Sequence, residues 1–311
     1  MNILVTAIAG DIGNAIGRIL IESDMCDSVL GCDIHDQHGG KHIFHKCFVV
    51  PRAEDPNYIE TLSQLVEENE IQLIVPSSEP EQRFLLSHNI LRSIGGAKLV
   101  LPSRHAMEVG YDKLKTARFL KETGLPYPWT YEAEKHPPKS LPCILKSRTG
   151  RGSQDIKLVS SENEISLYQE LYSGFIWQEL IGSDAEEYTC GVYRSVLGEV
   201  RVILFRRRLA AGITSFGELA EVEQITRLCE EIANHLNLVG SINIQLRLVD
   251  DIPVVFEINP RFSSTVMFRH MMGFQDLIWS IHETLLMGLP EYELNCEIGV
   301  SFYKKCEEVI L

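Results

Sequence analysis

The feature that most constrains this chain is a change of rhythm near residue 102. Before it, short apolar runs alternate with segments of helical periodicity. Residues 3–8, 29–32, 71–75 and 98–101 read as strands. Residues 13–22, 58–66 and 79–88 read as helices, the first with Ile16, Ile19 and Leu20 on one face. This alternation predicts a parallel sheet with helices on both faces. After Pro102 a helix over 113–123 stops at Gly124, with Pro126 and Pro128 just beyond. The polar, proline-rich stretch 132–142 reads as a loop. From Cys143 the chain turns strand-rich, over 143–146, 156–159, 175–179, 187–193, 199–208, 241–249 and 253–258. Two helices interrupt these strands. One carries Leu219, Val222, Ile225, Cys229, Ile232 and Leu236, and the other runs through 267–287. The expected fold class is therefore α/β, with a Rossmann-like parallel sheet, followed by α+β.

A length of 311 residues suits about two domains. With 29 basic and 43 acidic side chains the formal charge is −14, which argues against a general affinity for nucleic acid or anionic membrane. No run of eighteen apolar residues occurs, so no membrane span is expected. The start, MNILVTAIAGDIG, lacks a basic leader segment, and none of the eight cysteines forms a C-x-x-C pair. Reduced thiols and a cytoplasmic location are the expectation. Apolar helix faces leave packing within the chain and a homodimer both open.

Four segments carry chemistry. In FEINPRFSST, residues 256–265, strand alternation puts Glu257 and Asn259 on one face as hard oxygen donors suited to Mg2+, and Arg261 follows as a cation. The same residues also suit a strand end with a polar turn. In GSINIQLRLVDD an antiparallel turn at Asp250–Asp251 would bring Gln245 opposite Glu257–Asn259 as a third oxygen donor, or leave it as a half-buried amide. In ILKSRTGRGSQDI a strand ending at Lys146 enters a loop with Gly150, Gly152 and Ser153, either a phosphate cradle or an ordinary hairpin. In WQELIGSDAEEYT an apolar strand leads to Glu186 and Glu187, where a carboxylate could hold a ribose or lie in a solvated turn.

In their order along the chain the segments, together with YDKLKTARFLKETGLPYP at 111–128, resemble the ATP-grasp superfamily, and most of all one synthetase unit of the carbamoyl phosphate synthase large subunit. The motifs span 111–265. The resemblance implies a pre-ATP-grasp domain over 1–102, a small lobe with the glycine loop over 103–180 and a large lobe with the metal strands over 181–311. It implies ATP and Mg2+ as cofactors. Lys113 and Lys146 would bind phosphates, with Gly150, Gly152 and Ser153 closing over them. Backbone near Glu179 and Ile181 would hold adenine, and Glu187, or Glu186 in its place, the ribose. Gln245, Glu257 and Asn259 would carry the metal, and Arg261 would stabilise the transferred phosphoryl group. Gln154–Asp155 stand where a third glycine is common. With no amidotransferase segment or second synthetase copy, carbamoyl phosphate synthesis itself is not expected. The implied activity is ADP-forming ligation of a small-molecule carboxylate to an amine through an acyl-phosphate.

Other features pull elsewhere. Gly10, Gly13 and Gly17, with Asp33 ending the second strand, resemble a dinucleotide turn but not its spacing, so an NAD(P)-dependent oxidoreductase stands as a rival. A non-catalytic nucleotide-binding protein is a second rival. Ser77, Ser78 and Glu79 follow a parallel strand, where ligands bind; Ser78 with Glu81 also suits a helix capping box. His35, His38, His42, His45 and Cys47 match no standard zinc spacing and read as a polar loop. Of the run 206–208, alternation groups Arg206 with Arg208, and Arg208 is taken as the residue that could hold a substrate carboxylate.

Overall fold

The computed structural model describes residues 1–150, 156–210 and 213–305. The first sheet joins β1 (Asn2–Thr6), β2 (Ser28–Asp33), β3 (Lys46–Val49), β4 (Ile71–Val75), β5 (Ser93–Ile94) and β6 (Ala97–Leu99). Its order is β3-β2-β1-β4-β6-β5, and only β5 runs antiparallel. Alternation along β1 divides the core. Leu4 faces Tyr58, Leu62 and Val66 of α2 (Tyr58–Glu68) and Leu85 of α3 (Glu79–Ser87). Ile3 and Val5 face Ile16, Ile19 and Leu20 of α1 (Asp11–Glu22). This second cluster is completed by Phe262, Val266, Leu277 and Ile281, which come from far along the chain.

The second sheet is small and antiparallel, in the order β7-β10-β8-β9, from β7 (Thr130–Glu132), β8 (Cys143–Ser147), β9 (Lys157–Val159) and β10 (Phe175–Glu179). Trp129, Cys143, Leu145, Val159 and Trp177 form its core, and Ile165 and Tyr168 of α6 (Glu162–Leu171) pack against it. The third sheet is antiparallel throughout, in the order β15-β14-β11-β12-β13-β16, from β11 (Glu187–Arg194), β12 (Val200–Ala210), β13 (Ile213–Ala220), β14 (Gly240–Val249), β15 (Ile252–Asn259) and β16 (Ser301–Tyr303). Helices α4 (Arg104–Gly110), α5 (Lys113–Glu122) and α7 (Glu223–His235) share one core with this sheet, through Ala106, Val109, Phe119, Leu120, Ile225, Cys229 and Ile232. Packing thus joins α4 and α5 to the third sheet, although they precede the second in the chain.

Three expectations about elements need correction. Leu219 lies on β13 and packs with Phe205 and Trp279, so α7 begins only at Glu223. The helix expected over 267–287 is two, α8 (Val266–Met271) and α9 (Asp276–Leu285). Gly273 divides them with φ +89°, where an added Cβ would lie 2.3 Å from the Glu293 carbonyl oxygen. The stretch taken as loop from residue 132 begins inside β7, which adds to the edge of β10.

Candidate active site

The β14–β15 hairpin builds one wall. Asp250 and Asp251 both adopt positive φ, +48° and +63°, the geometry of a two-residue turn that matches strand twist. The turn sets the pairing from Val249–Ile252 to Leu246–Val255, and a one-residue bulge at Phe256 then shifts the register, putting Gln245 opposite Glu257 and Asn243 opposite Asn259. All four side chains line one cavity of about 490 Å³. Beyond the strand, Pro260 packs so closely on Gly110 that a Cβ there would lie 2.6 Å from Pro260 Cδ. The Tyr111 hydroxyl donates to the Pro260 carbonyl at 3.2 Å. This lock directs the chain so that Arg261 reaches the cavity.

The opposite wall is cationic. Asp112 caps α5, accepting from the Leu114 and Lys115 amides at 3.0 and 3.2 Å, and it binds Arg148 Nη2 at 2.7 Å. The cap ties the first turn of α5 to the end of β8. Lys113 therefore meets the glycine loop, donating to the Gly150 carbonyl at 2.8 Å, and stands 3.9 Å from Glu257. Lys146, on β8, is buried, and burial pushes its ammonium down to about 8 against the pull of Glu257. Burial works to raise the Glu257 carboxyl, but the charges of Lys113, Lys146, Arg261 and Arg207 prevail and hold it below its ordinary value. Gly150 lines the cavity; Gly152 and Ser153 lie outside the described residues.

The first sheet closes the third side with Ala7, Gly10 and Gly13 after β1, and Ser77, Ser78 and Glu79 after β4. Gly13 is needed for the tight turn, since a Cβ would lie 2.5 Å from the Ala7 carbonyl oxygen. Asp33 accepts from the Ala9 and His35 amides at 2.8 and 3.0 Å and so braces this turn. Ser78 caps α3, accepting from the Glu81 amide at 3.4 Å. The Glu81 side chain turns inward to the Thr6 and Tyr58 hydroxyls instead of completing a capping box.

Arg208 is a correction. Alternation on β12 does group it with Arg206, but both are exposed. Arg206 binds Glu186, and the Arg208 guanidinium lies 5.8 Å from the Phe216 ring centre. The arginine on the cavity wall is Arg207. It donates to Glu187 from Nε and Nη2 at 3.0 and 2.8 Å and to Gln245 Oε1 at 2.9 Å. The other Glu187 oxygen accepts from Arg247 Nε and Nη2, at 3.0 and 2.8 Å. Arg247 also donates to the Ile181 carbonyl at 3.0 Å, and Glu179 accepts from the Trp129 amide at 3.1 Å. Glu179, Ile181 and Glu187 are not on the cavity wall; Ile181 and Glu187 are joined to it through Arg247 and Arg207. The sequence reading missed Arg207 and Asn243. Counting back two residues from Gln245 would have found Asn243, since positions i and i−2 share a strand face.

Among the described residues no three of His, Cys, Asp and Glu come together as a metal site. His45 Nδ1 instead accepts from the Val29 amide at 3.0 Å. The donors suited to Mg2+ are the Glu257 carboxylate and the Asn259 amide oxygen, both on the cavity wall. Gln245 fits less well, because its oxygen is held at 2.9 Å by the guanidinium of Arg207, whereas the Asn259 oxygen meets Arg261 only at 3.5 Å.

The ATP-grasp domain family matches residues 111–265. No curated protein matches the chain. Among solved structures, N5-carboxyaminoimidazole synthetase from Staphylococcus aureus, complexed with ADP, superposes with a TM-score of 0.73 at 15% identity, over 94% of this chain and 79% of that one. Biotin carboxylase from Campylobacter jejuni gives 0.71 at 16%, over 94% and 73%. L-amino acid ligase from Bacillus licheniformis gives 0.70 at 18%, over 91% and 74%. The matched segment is the one that holds Lys113, Lys146, Glu257, Asn259 and Arg261, and through it the chain belongs to the ATP-grasp superfamily.

Proposed function

We propose that the protein is an ATP-dependent, ADP-forming ligase that activates a small-molecule carboxylate as an acyl-phosphate and passes the acyl group to an amine. The observation that carries this reading is the convergence of Lys113, Lys146 and Arg261 with Glu257 and Asn259 in one cavity, facing the glycine turn and Ser77–Ser78 of a parallel sheet. Transfer of a phosphoryl group needs positioning and charge neutralisation more than covalent help from the protein. Lys113 and Lys146 would hold the phosphates of ATP, with Gly150 at the mouth of the loop. Arg261 would hold the oxygen that receives the phosphoryl group. Mg2+, held by Glu257 and Asn259, would supply further charge neutralisation. The amine would approach from the Gly10 and Ser78 side, where the carboxyl end of the parallel sheet opens. Glu179, Ile181 and Glu187 belong to this reading as the adenosine side of the site, with Glu187 braced by two arginines. The absence of any helix long and apolar enough to cross a membrane, among the described residues, is compatible with a cytoplasmic enzyme.

The test is ADP release from Mg–ATP across a panel of carboxylates and amines, comparing wild type with Glu257→Gln. A pair that stimulates ADP release in the wild type, with at least a roughly 100-fold loss in the variant, is expected. Stimulated turnover that Glu257→Gln leaves intact overturns the site assignment.

A further inference from the structure

We infer that Gln245 serves the cavity as a hydrogen-bond donor to an oxyanion, not as a metal ligand; the inference rests on the ligase reading and deepens it. The argument begins with Arg207. A guanidinium has donors and no acceptor, so the atom of Gln245 that lies 2.9 Å from Arg207 Nη2 must be the amide oxygen, whichever way an amide is drawn. Arg207 is itself fixed. It is buried on β12, and two of its nitrogens hold one oxygen of the buried Glu187. Arg247 holds the other Glu187 oxygen and also meets the exposed Asp184. Gln245 therefore has its oxygen committed to a clamped cation. A divalent cation on that oxygen would be drawn up against the guanidinium, like charge against like.

With the oxygen committed, the NH2 of Gln245 is the group left for the cavity that the residue lines. Asn243, two residues earlier on the same strand face, is buried and lines the same wall, and its Nδ2 has no protein partner. Its oxygen accepts from the Thr189 hydroxyl at 3.0 Å. Two amide donors in a row, with Arg207 behind them and Arg261 beside them, are complementary to an anionic oxygen. That oxygen belongs to the carboxylate being activated or to the phosphate that leaves. Glu257 and Asn259, on the facing strand, remain the metal side. The hairpin so divides the cavity by strand: β15 carries the metal donors and β14 the oxyanion donors.

The experiment compares wild type, Gln245→Met and Gln245→Glu, each first shown to melt as a folded protein. Mn2+ affinity is measured by electron paramagnetic resonance with saturating ADP. Inorganic phosphate and acetate are titrated against the Mg–ADP form. The expected result is a Mn2+ dissociation constant for Gln245→Met within fivefold of wild type, while both variants lose at least fivefold in affinity for phosphate or for acetate. Loss for phosphate assigns the subsite to the leaving group, and loss for acetate to the carboxylate. Glu257→Gln is the control, expected to weaken Mn2+ at least tenfold. A fivefold or greater loss of Mn2+ in Gln245→Met makes it a metal ligand and overturns the inference. So does unchanged binding of both anions in the variants, or wild type that binds Mn2+–ADP but neither anion. Wild type that binds no Mn2+–ADP removes the ligase reading, and this inference with it.

Discussion

On the proposed reading, Lys146 trades stability for binding. Its ammonium is buried, and desolvation lowers it to about 8. In the unfolded chain the same group titrates near 10.4. Between these values the unfolded chain binds more protons than the folded one, so this group makes stability rise as pH climbs from about 8 to 10.4. At pH 7 the folded protein bears the cost of a buried charge. Lys146→Met is therefore expected to raise the melting temperature at pH 7, by an equivalent of up to about 3 kcal/mol, with the gain fading above pH 10. The same substitution removes a charged donor to phosphate and should weaken ADP binding by roughly 10- to 100-fold. Wild-type affinity for ADP should also fall as pH rises through the Lys146 titration, and the variant should lack that dependence. Thermal melts and isothermal titration from pH 6 to 10 check all three. A destabilised variant with wild-type ADP affinity would take Lys146 out of the site.

Among the elements, the break between α8 and α9 has the clearest single cause. Gly273 sits at φ +89°, and a Cβ would lie 2.3 Å from backbone oxygen of Glu293, an atom that cannot swing aside. Gly273→Ala should cost about 2–3 kcal/mol from left-handed strain and the clash together, read from denaturant midpoints at unchanged slope. A change below about 0.5 kcal/mol would mean that the two helices can merge. This break was invisible in the sequence because the apolar spacing of 267–287 runs on across it; what stops the helix is a segment some twenty residues later. The β14–β15 hairpin was legible, because the Asp250–Asp251 turn is local, but the bulge at Phe256 that brings Glu257 opposite Gln245 was not. Arginines 206–208 fall between these cases. Alternation separates Arg207 from its neighbours, but which face is inside depends on β11. There Glu187 comes within reach of Arg207, and Glu186 meets Arg206 at the surface. Local pattern fixes phase; long-range pairing chooses the sign.

At the scale of the whole molecule the cavity is a junction. Its lining comes from the turn after β1, from the lysines at the start of α5 and on β8, and from the strands that carry Arg207 and Glu257. The wall does not end at β15. Three residues past Asn259, Phe262 enters the core of the first sheet, and Val266, Leu277 and Ile281 follow it among Ile3, Val5 and Ile16. Helix α9 therefore links the two cores, giving Leu277 and Ile281 to that of the first sheet and Trp279 to that of the third. In a chain of charge −14, the cations of this cavity are concentrated where an anionic nucleotide would bind. A ligand seated there contacts all three sheets, so its binding energy should appear as stabilisation of the whole molecule. Mg–ADP at about 100 times its dissociation constant adds about 2.7 kcal/mol. For a chain of 311 residues that amounts to a rise of about 4 °C in a single melting transition. NAD⁺ and NADP⁺ should give no shift, because the glycines after β1 lack the dinucleotide spacing. Two separate transitions, of which Mg–ADP moves only one, would show that the sheets melt independently despite the helix that links them. A shift with NAD⁺ and none with Mg–ADP would place the ligand at the first sheet alone and leave Lys146 and Glu257 without their proposed work.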